Sequence, residues 1–317
     1  MSLEGRSIGQ RSVLVIGAAG FLGQHVVTAV KAAGGTVLAY DRNPAPAGWS
    51  GAWTVAEAGD TAALKSAAQD ATDVIYLAGR SRPAGGYDSL AREIDGEVAT
   101  VVETAELCRD AGVGKFVFAS SGGTVYGRDV QIPTAETEQA RPQSSYGMTK
   151  LFVEHGLRLL SAEGPMQAAV LRISNPYGPG QRVKRQQGII AAAMNAAMTG
   201  QPLEIWGDGS VVRDFVYVAD VAEAFVAALA CKDVYVLANI GSGQGVSIRD
   251  LCSEIDKVSD RPLKIDYLPD RKVDLPKAVL DPSRAARVLE WRPEVALADG
   301  LKKTYDWWAK QGDRHDG

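Results

Sequence analysis

The stretch Ser12 to Gly23, SVLVIGAAGFLG, limits the choice of fold more than any other part of the chain. Val13–Ile16 carries no charge and reads as a strand buried on both faces. It runs directly into glycines at 17, 20 and 23 and then into the helical pattern Gln24–Ala33. Gly17 permits a tight turn, Gly20 lets backbone approach a pyrophosphate, and Gly23 lets helix pack closely on strand. The free N–H groups and positive end of that helix favour phosphate, which brings Phe21 and Leu22 into the same site. A second strand, Gly35–Tyr40, ends at Asp41, close to the distance at which a ribose-binding acid is expected. An acid there hydrogen-bonds a ribose 2′-hydroxyl and repels a 2′-phosphate, which favours NAD; the neighbouring Arg42 is the residue that could accommodate NADP.

The pattern continues with a short strand at Ala52–Glu57, a helix at Thr61–Gln69 capped by Asp60 or Thr61, and a strand at Asp73–Ala78. Gly79 allows the chain to pass close to a cofactor, Arg80–Tyr87 reads as a loop, and Leu90–Asp110 carries one long helical pattern. Lys115–Ala119 is the fifth strand. Strands alternating with helices predict an α/β fold with a doubly wound, mostly parallel sheet of the Rossmann kind, its ligands lying outside the carboxyl ends of the strands. Asp60, Leu77, Ala78, Gly79 and Ser120 are therefore candidates to line the cofactor. Residues 11–175 are expected to form mainly the NAD-binding domain, and 176–310 mainly a smaller substrate-binding domain with some segments returning to the first.

Ser120–Gly127, SSGGTVYG, leaves the fifth strand at its carboxyl end. Two glycines let a ligand approach the backbone, while Ser120, Ser121 and Thr124 offer hydroxyls. The next segment, Ser144–Leu160, reads as a helix capped by Ser144 or Ser145 that puts Tyr146 and Lys150 on one face. An ammonium near a phenol favours phenolate. The pair can thus supply a base that takes a hydroxyl proton while hydride leaves the adjoining carbon for the cofactor.

Composition removes several other classes. The net charge of −4 over 317 residues contains no dense basic run, so a nucleic-acid partner is not expected. No segment approaches the ~20 apolar residues of a membrane span, and Met1–Gln10 is polar, without the apolar core of a signal peptide. Cys108, Cys231 and Cys252 form neither a disulfide framework nor a ligand-spaced pair, which fits a reducing, cytoplasmic setting. His25, His155 and His315 are too far apart to suggest a metal site, and none is assigned.

With GAAGFLG at 17–23, LAG at 77–79, SSGGTVYG at 120–127, YGMTK at 146–150, LRISNPYGPGQ at 171–181, GDGSVVRDFVYVAD at 207–220 and RKVDLP at 271–276, the chain resembles the extended short-chain dehydrogenase/reductase family. Within it, the resemblance is to the nucleotide-sugar epimerase/dehydratase group and especially the UDP-sugar 4-epimerases. It implies that Tyr146 is the base, that Lys150 holds the cofactor ribose and lowers the tyrosine pKa, and that Asn175, Arg213 and Arg271 contact the substrate diphosphate. Ala278 falls at a position where a small residue makes room for an N-acetyl group on the sugar. It further implies a homodimer formed through Leu90–Asp110 and Ser144–Leu160.

The chain departs from the family at Gly122, where a serine or threonine normally helps to hold the reacting hydroxyl; Ser121, Thr124 or a water are the candidates to cover that role. Gly123 and Thr124 replace the acidic residues of the 4,6-dehydratases, which argues against dehydration. The expected activity is NAD-dependent 4-epimerisation of a UDP-hexose or UDP-N-acetylhexosamine. A 4-keto-sugar reductase using NAD(P)H, or a binding scaffold without activity, are the alternatives. Trp206 reads as core, Trp291, Trp307 and Trp308 as packing, and Asp214 as structural support for its segment.

Overall fold

The structure, a computed structural model, describes residues 8–79, 90–183, 188–270 and 275–312. Strand β1 (Ser12–Ile16) is followed at once by α1 (Phe21–Ala32), which begins three residues earlier than its apolar pattern predicts because the glycine turn itself starts the helix. Strands β2 (Thr36–Asp41) and β3 (Trp53–Val55) lead to α2 (Thr61–Gln69), whose N-terminus is capped by Asp60 accepting from the Ala63 N–H at 3.0 Å. After β4 (Asp73–Tyr76), the single helix expected over 90–110 resolves into α3 (Leu90–Glu93), a π-helical turn (Ile94–Ala99) and α4 (Thr100–Asp110). Strand β5 (Lys115–Ser121) runs two residues past its predicted end, so Ser120 and Ser121 belong to the strand and the short helix α5 (Gly122–Val125) follows. Helix α6 (Ser145–Glu163) is capped by Ser144, whose hydroxyl accepts from the Gly147 N–H at 3.1 Å.

Strand β6 (Gln167–Ile173) opens the second half, with β7 (Asn175–Tyr177), α7 (Ile189–Thr199), β8 (Leu203–Trp206) and β9 (Val212–Tyr217) after it. Then come α8 (Val218–Ala230), β10 (Tyr235–Ile240), β11 (Gly245–Ser247), α9 (Ile248–Ser259), β12 (Ile265–Leu268) and β13 (Lys277–Ala278). Two further helices, α10 (Ser283–Val288) and α11 (Leu297–Gly312), follow.

Among the described residues the strands form three sheets. The main one is seven-stranded and parallel throughout, in the order β10-β6-β5-β4-β1-β2-β3. The order reverses on either side of β1, which opens a crevice at the carboxyl ends of β1 and β4, and helices cover both faces. One face buries Val13, Val15, Val26, Val30 and Phe225 between α1 and α8; the other buries Leu14, Ile16, Val101, Leu157 and Val170 beneath α2, α4 and α6. Strand β10 and helix α8, although late in sequence, thus belong to the nucleotide-binding layer.

The smaller unit is built on β9, which pairs with β11 antiparallel and with β7 and β13 parallel; β8 and β12 form a separate two-stranded ladder. Its own core collects Tyr177, Met194, Ile205, Phe215, Leu251 and Leu301. No helix among the described residues is long and apolar enough to cross a membrane.

Candidate active site

The cofactor end rests on backbone that leaves no room for side chains. Gly17 adopts φ 92°, and a Cβ there would stand 2.9 Å from the Ala78 nitrogen and 3.1 Å from the Leu77 carbonyl carbon. The turn after β1 is therefore pressed against the chain leaving β4. At Gly23 a Cβ would lie 2.1 Å from the Gly17 carbonyl oxygen, so this helix can reach this strand only with glycine. Helix α1 starts at Gly20 without a side-chain cap, so its first-turn N–H groups at Phe21, Leu22 and Gly23 are suited to an anion.

Asp41 is buried at the end of β2. One carboxylate oxygen accepts from the Ala19 N–H at 2.9 Å and the other from the Asn43 backbone and side-chain amides at 2.9 and 2.8 Å. Arg42 is exposed beside it, and the Asp60 carboxylate is engaged in capping α2. A glycine turn against backbone, an uncapped helix N-terminus and a fixed acid at the end of β2 make a cradle that fits a dinucleotide.

The chemical end is organised by α6. Gly147 packs so tightly that a Cβ would stand 2.5 Å from the Thr124 carbonyl oxygen, which fixes the first turn of α6 against α5. Tyr146 lies half-buried in that turn, and Lys150, one turn on, places Nζ 5.5 Å from the Tyr146 ring centroid and 4.8 Å from that of Phe118. Lys150 also donates to Glu97 Oε1 at 3.2 Å, with both side chains almost wholly buried. Sequence reading misses Glu97 because its place depends on the π-helical turn. No local signal marks it: Glu97 is the one buried residue of that turn, in a stretch that also carries Arg92, Glu93 and Asp95.

Of the hydroxyl candidates, Ser120 is buried and donates to the Glu154 carboxylate, which in turn pairs with Arg172; only its backbone is left to face a cofactor. Ser121 closes β5, and Thr124 is half-buried in α5 with its hydroxyl 3.4 Å from the Ser121 carbonyl oxygen. Between them, a Cβ on Gly122 would come within 2.5 and 2.9 Å of the two Leu280 methyl carbons and 3.2 Å of the Arg172 carbonyl oxygen. Leu280 therefore occupies the space that a side chain at 122 would need. The loss of the hydroxyl at 122 is built into the packing.

The substrate side lies on the small sheet. Asn175 in β7 pairs with Phe215, and its amide donates to the Asp214 carbonyl at 2.9 Å; Ala278 in β13 is the register partner of Arg213 in β9. Arg213 donates from Nη1 to the carbonyls of Val212 and Leu275, at 3.0 and 2.7 Å, which ties it to the segment leading into β13. Asp214 is fully buried and accepts from the N–H groups of Ser242, Gly243 and Leu280 and from the Ser242 hydroxyl. Burial raises its pKa against the opposing pull of these donors, and its role is to pin Leu280 behind Gly122. Arg271 and the loop at Arg80–Tyr87 lie outside the described residues.

Trp206 corrects an expectation: it is exposed, because β8 is an edge strand with alternating burial and Trp206 falls on its outward face. His25, by contrast, is satisfied through the Pro179 carbonyl at 2.8 Å, and burial lowers its pKa; the contact fastens the turn after β7 to α1.

Residues 13–241 match the NAD dependent epimerase/dehydratase family. The chain is 33% identical over 306 residues to a UDP-glucose 4-epimerase of Mycolicibacterium smegmatis, covering 93% of this chain and 97% of that protein. It is 36% identical over 192 residues to a dTDP-4-dehydro-6-deoxyglucose reductase of Escherichia coli, a match spanning 61% of this chain and 60% of that one. Among solved structures it resembles the Thermus thermophilus UDP-glucose 4-epimerase in complex with NAD, with a TM-score of 0.85 and 29% identity over 94% of this chain and 99% of that one. With its glycine-lined cradle at the carboxyl ends of β1, β2 and β4, the chain belongs to the NAD dependent epimerase/dehydratase family of nucleotide-sugar enzymes, and NAD is its cofactor.

Proposed function

We propose that the chain catalyses 4-epimerisation of a UDP-hexose or UDP-N-acetylhexosamine through a transient 4-keto sugar. The observation that carries this reading is the Tyr146–Lys150 pair on α6, held beside α5, whose first residue Gly122 packs on Leu280, two residues after Ala278. Tyr146 takes the proton of the sugar 4-hydroxyl and later returns it, while Lys150 stabilises the negative charge on the phenolic oxygen and holds the cofactor ribose. Bound NAD supplies a hydride acceptor and donor for C4. Gly17, Gly20, Phe21, Leu22 and Gly23 bind the cofactor phosphates, and Asp41 takes the adenosine ribose. Leu77, Ala78, Gly79 and the Ser120 backbone line its path, with Arg42 and Asp60 near its adenosine end. Ser121 or Thr124 holds the reacting hydroxyl in place of Gly122.

Arg213 and Arg271 grip the diphosphate through their planar donor forks, with Asn175 beside them. The small Ala278 leaves space at the sugar's 2-substituent. Gly123 and Thr124 offer no carboxyl group, which disfavours elimination of water across C5 and C6.

Purified protein given UDP-N-acetylglucosamine without reductant should yield UDP-N-acetylgalactosamine by NMR, with no net change at 340 nm. Ala278→Tyr should then lower kcat/KM for the N-acetyl sugar on the order of a hundredfold while leaving UDP-glucose within about threefold. Equal losses on both sugars would refute the assignment of Ala278. Gly122 and the similarity to the E. coli reductase favour a second reading, reduction of a nucleotide 4-keto sugar. Consumption of NAD(P)H with such a substrate, and no epimer from any UDP-hexose, would establish it instead; cofactor binding with no turnover on either panel would leave a scaffold.

We infer also that two copies pair through α4 and α6. Met148, Phe152 and Leu159 on α6 are exposed at spacings of four and seven residues, forming an apolar stripe on one helix face. Light scattering should give twice the chain mass, and Phe152→Asp should give the single mass with its helical signal retained. A wild-type protein of single mass would exclude this pairing.

A further inference from the structure

We propose that Glu97 is a positioning residue whose buried pairing with Lys150 balances the charge at the nicotinamide end of the site and so favours the oxidised cofactor over the reduced one. This rests on the reading above that Lys150 holds the cofactor ribose. Three observations converge on the pair. Lys150 Nζ donates to Glu97 Oε1 at 3.2 Å, with side-chain exposures of only 6% and 5%. Glu97 is delivered by the π-helical turn Ile94–Ala99 between two α-helical segments, and such a turn rotates the residues it contains relative to the helix on either side. A Cβ on Gly79 would stand 3.2 Å from Glu97 Oε1 and 3.8 Å from Lys150 Nζ, so the pair lies against the backbone leaving β4 at the carboxyl edge of the sheet.

The physical consequence concerns charge. An ammonium this deeply buried is tolerated only with a close counter-charge. Glu97 supplies it and takes one of the three N–H donors, which leaves two for the ribose and the Tyr146 oxygen. A lone ammonium beside a nicotinamide ring would disfavour the positively charged oxidised ring and favour the neutral reduced one. A neutral ammonium–carboxylate pair cancels most of that bias, because in a buried site a unit charge a few ångströms away is only weakly screened. An enzyme that borrows hydride and returns it within one turnover needs its resting cofactor oxidised. The pairing provides for that with residues that are not expected to touch the sugar.

The test is the ratio of NADH to NAD+ affinity in protein freed of cofactor, read by NADH fluorescence and its displacement by NAD+, with ADP as a probe of the adenosine end. Glu97→Gln should move the ratio toward NADH by about tenfold and leave ADP binding unchanged. Glu97→Asp, which keeps the charge, should restore the ratio to within about threefold of wild type. Lys150→Gln, which leaves the carboxylate alone, should move the ratio the other way, toward NAD+, so the proposal stays exposed even if Glu97→Gln does not fold.

A ratio unmoved in both Glu97→Gln and Lys150→Gln would overturn the proposal, as would equal weakening of NADH, NAD+ and ADP, which marks a merely structural carboxylate. Failure of the epimerase reading shows separately, as a wild-type protein with this affinity pattern and no sugar turnover.

Discussion

Tyr146→Phe is expected to lower kcat for epimerisation by about a thousandfold, with KM for the nucleotide sugar within about threefold and bound NAD retained. The substitution removes one hydroxyl from a half-buried ring in the first turn of α6 and leaves the ring itself in place. The Ser144 cap, the contact of Gly147 with Thr124 and the Lys150 pairing with Glu97 all lie outside the deleted atom, so the melting temperature should stay close to wild type. What disappears is the group that accepts the 4-hydroxyl proton. Without it, hydride departure would leave a protonated carbonyl oxygen, and no other described side chain of this turn combines a titratable oxygen with a neighbouring ammonium. Single-turnover measurements that find more than a tenth of wild-type activity in Tyr146→Phe would remove Tyr146 from the base role and turn attention to Ser121 and Thr124.

The parts of this site that are legible in sequence are those with a local cause. The β1 turn can be read because each glycine answers a short-range demand, and the structure repeats those demands as near-contacts of Gly17 with Ala78 and of Gly23 with Gly17. Tyr146 and Lys150 can be read because an α-helical spacing of four is independent of the rest of the fold. The caps at Asp60 and Ser144 can be read for the same reason.

What escapes has a non-local cause. The apolar pattern over 90–110 fits one regular helix, yet a π-helical turn within it changes which residue faces Lys150, and so Glu97 is overlooked. Strand β13 is two residues long and exists only because β9 offers an edge, so no run of apolar residues announces it. Leu280 reveals its role only when the chain has folded back to place it against Gly122, more than 150 residues away in sequence. Trp206 shows the opposite error: a large apolar residue in an extended run is assigned to the core, whereas the alternation of an edge strand turns it outward. An absent hydroxyl at 122 is thus visible in the sequence, but the reason it is stable there is a tertiary contact.

Glu154→Ala is expected to destabilise the protein by roughly 3–5 kcal/mol, read as a shifted midpoint in urea with little change in slope. Arg172 sits near the carboxyl end of β6, 4% exposed, with Ser120 of β5 and Asn239 of β10 as its register partners in the main sheet. Its guanidinium donates from Nε to both Glu154 carboxylate oxygens, at 3.0 and 3.1 Å, and from Nη2 to one of them, while its carbon lies 4.7 Å from the Tyr126 ring centroid. Tyr126, its phenol pushed up to about 12 by burial, donates to Asn239 at 2.7 Å on the edge strand β10, and Glu154 also receives the Ser120 hydroxyl. Removing Glu154 strands a charge that cannot be given up, since a guanidinium stays protonated at any working pH. The cost is the stranded charge and not the value of the pair, so Glu154→Leu with Arg172→Leu together should cost less than either change alone. Because Ser120 and Ser121 end the strand that this cluster supports, the single variant should also weaken NAD binding, and the double variant should recover part of it. A loss below about 1 kcal/mol, the size of an exposed pair, would mean that water reaches Arg172 and that the carboxyl end of β5 is held by its backbone ladder alone.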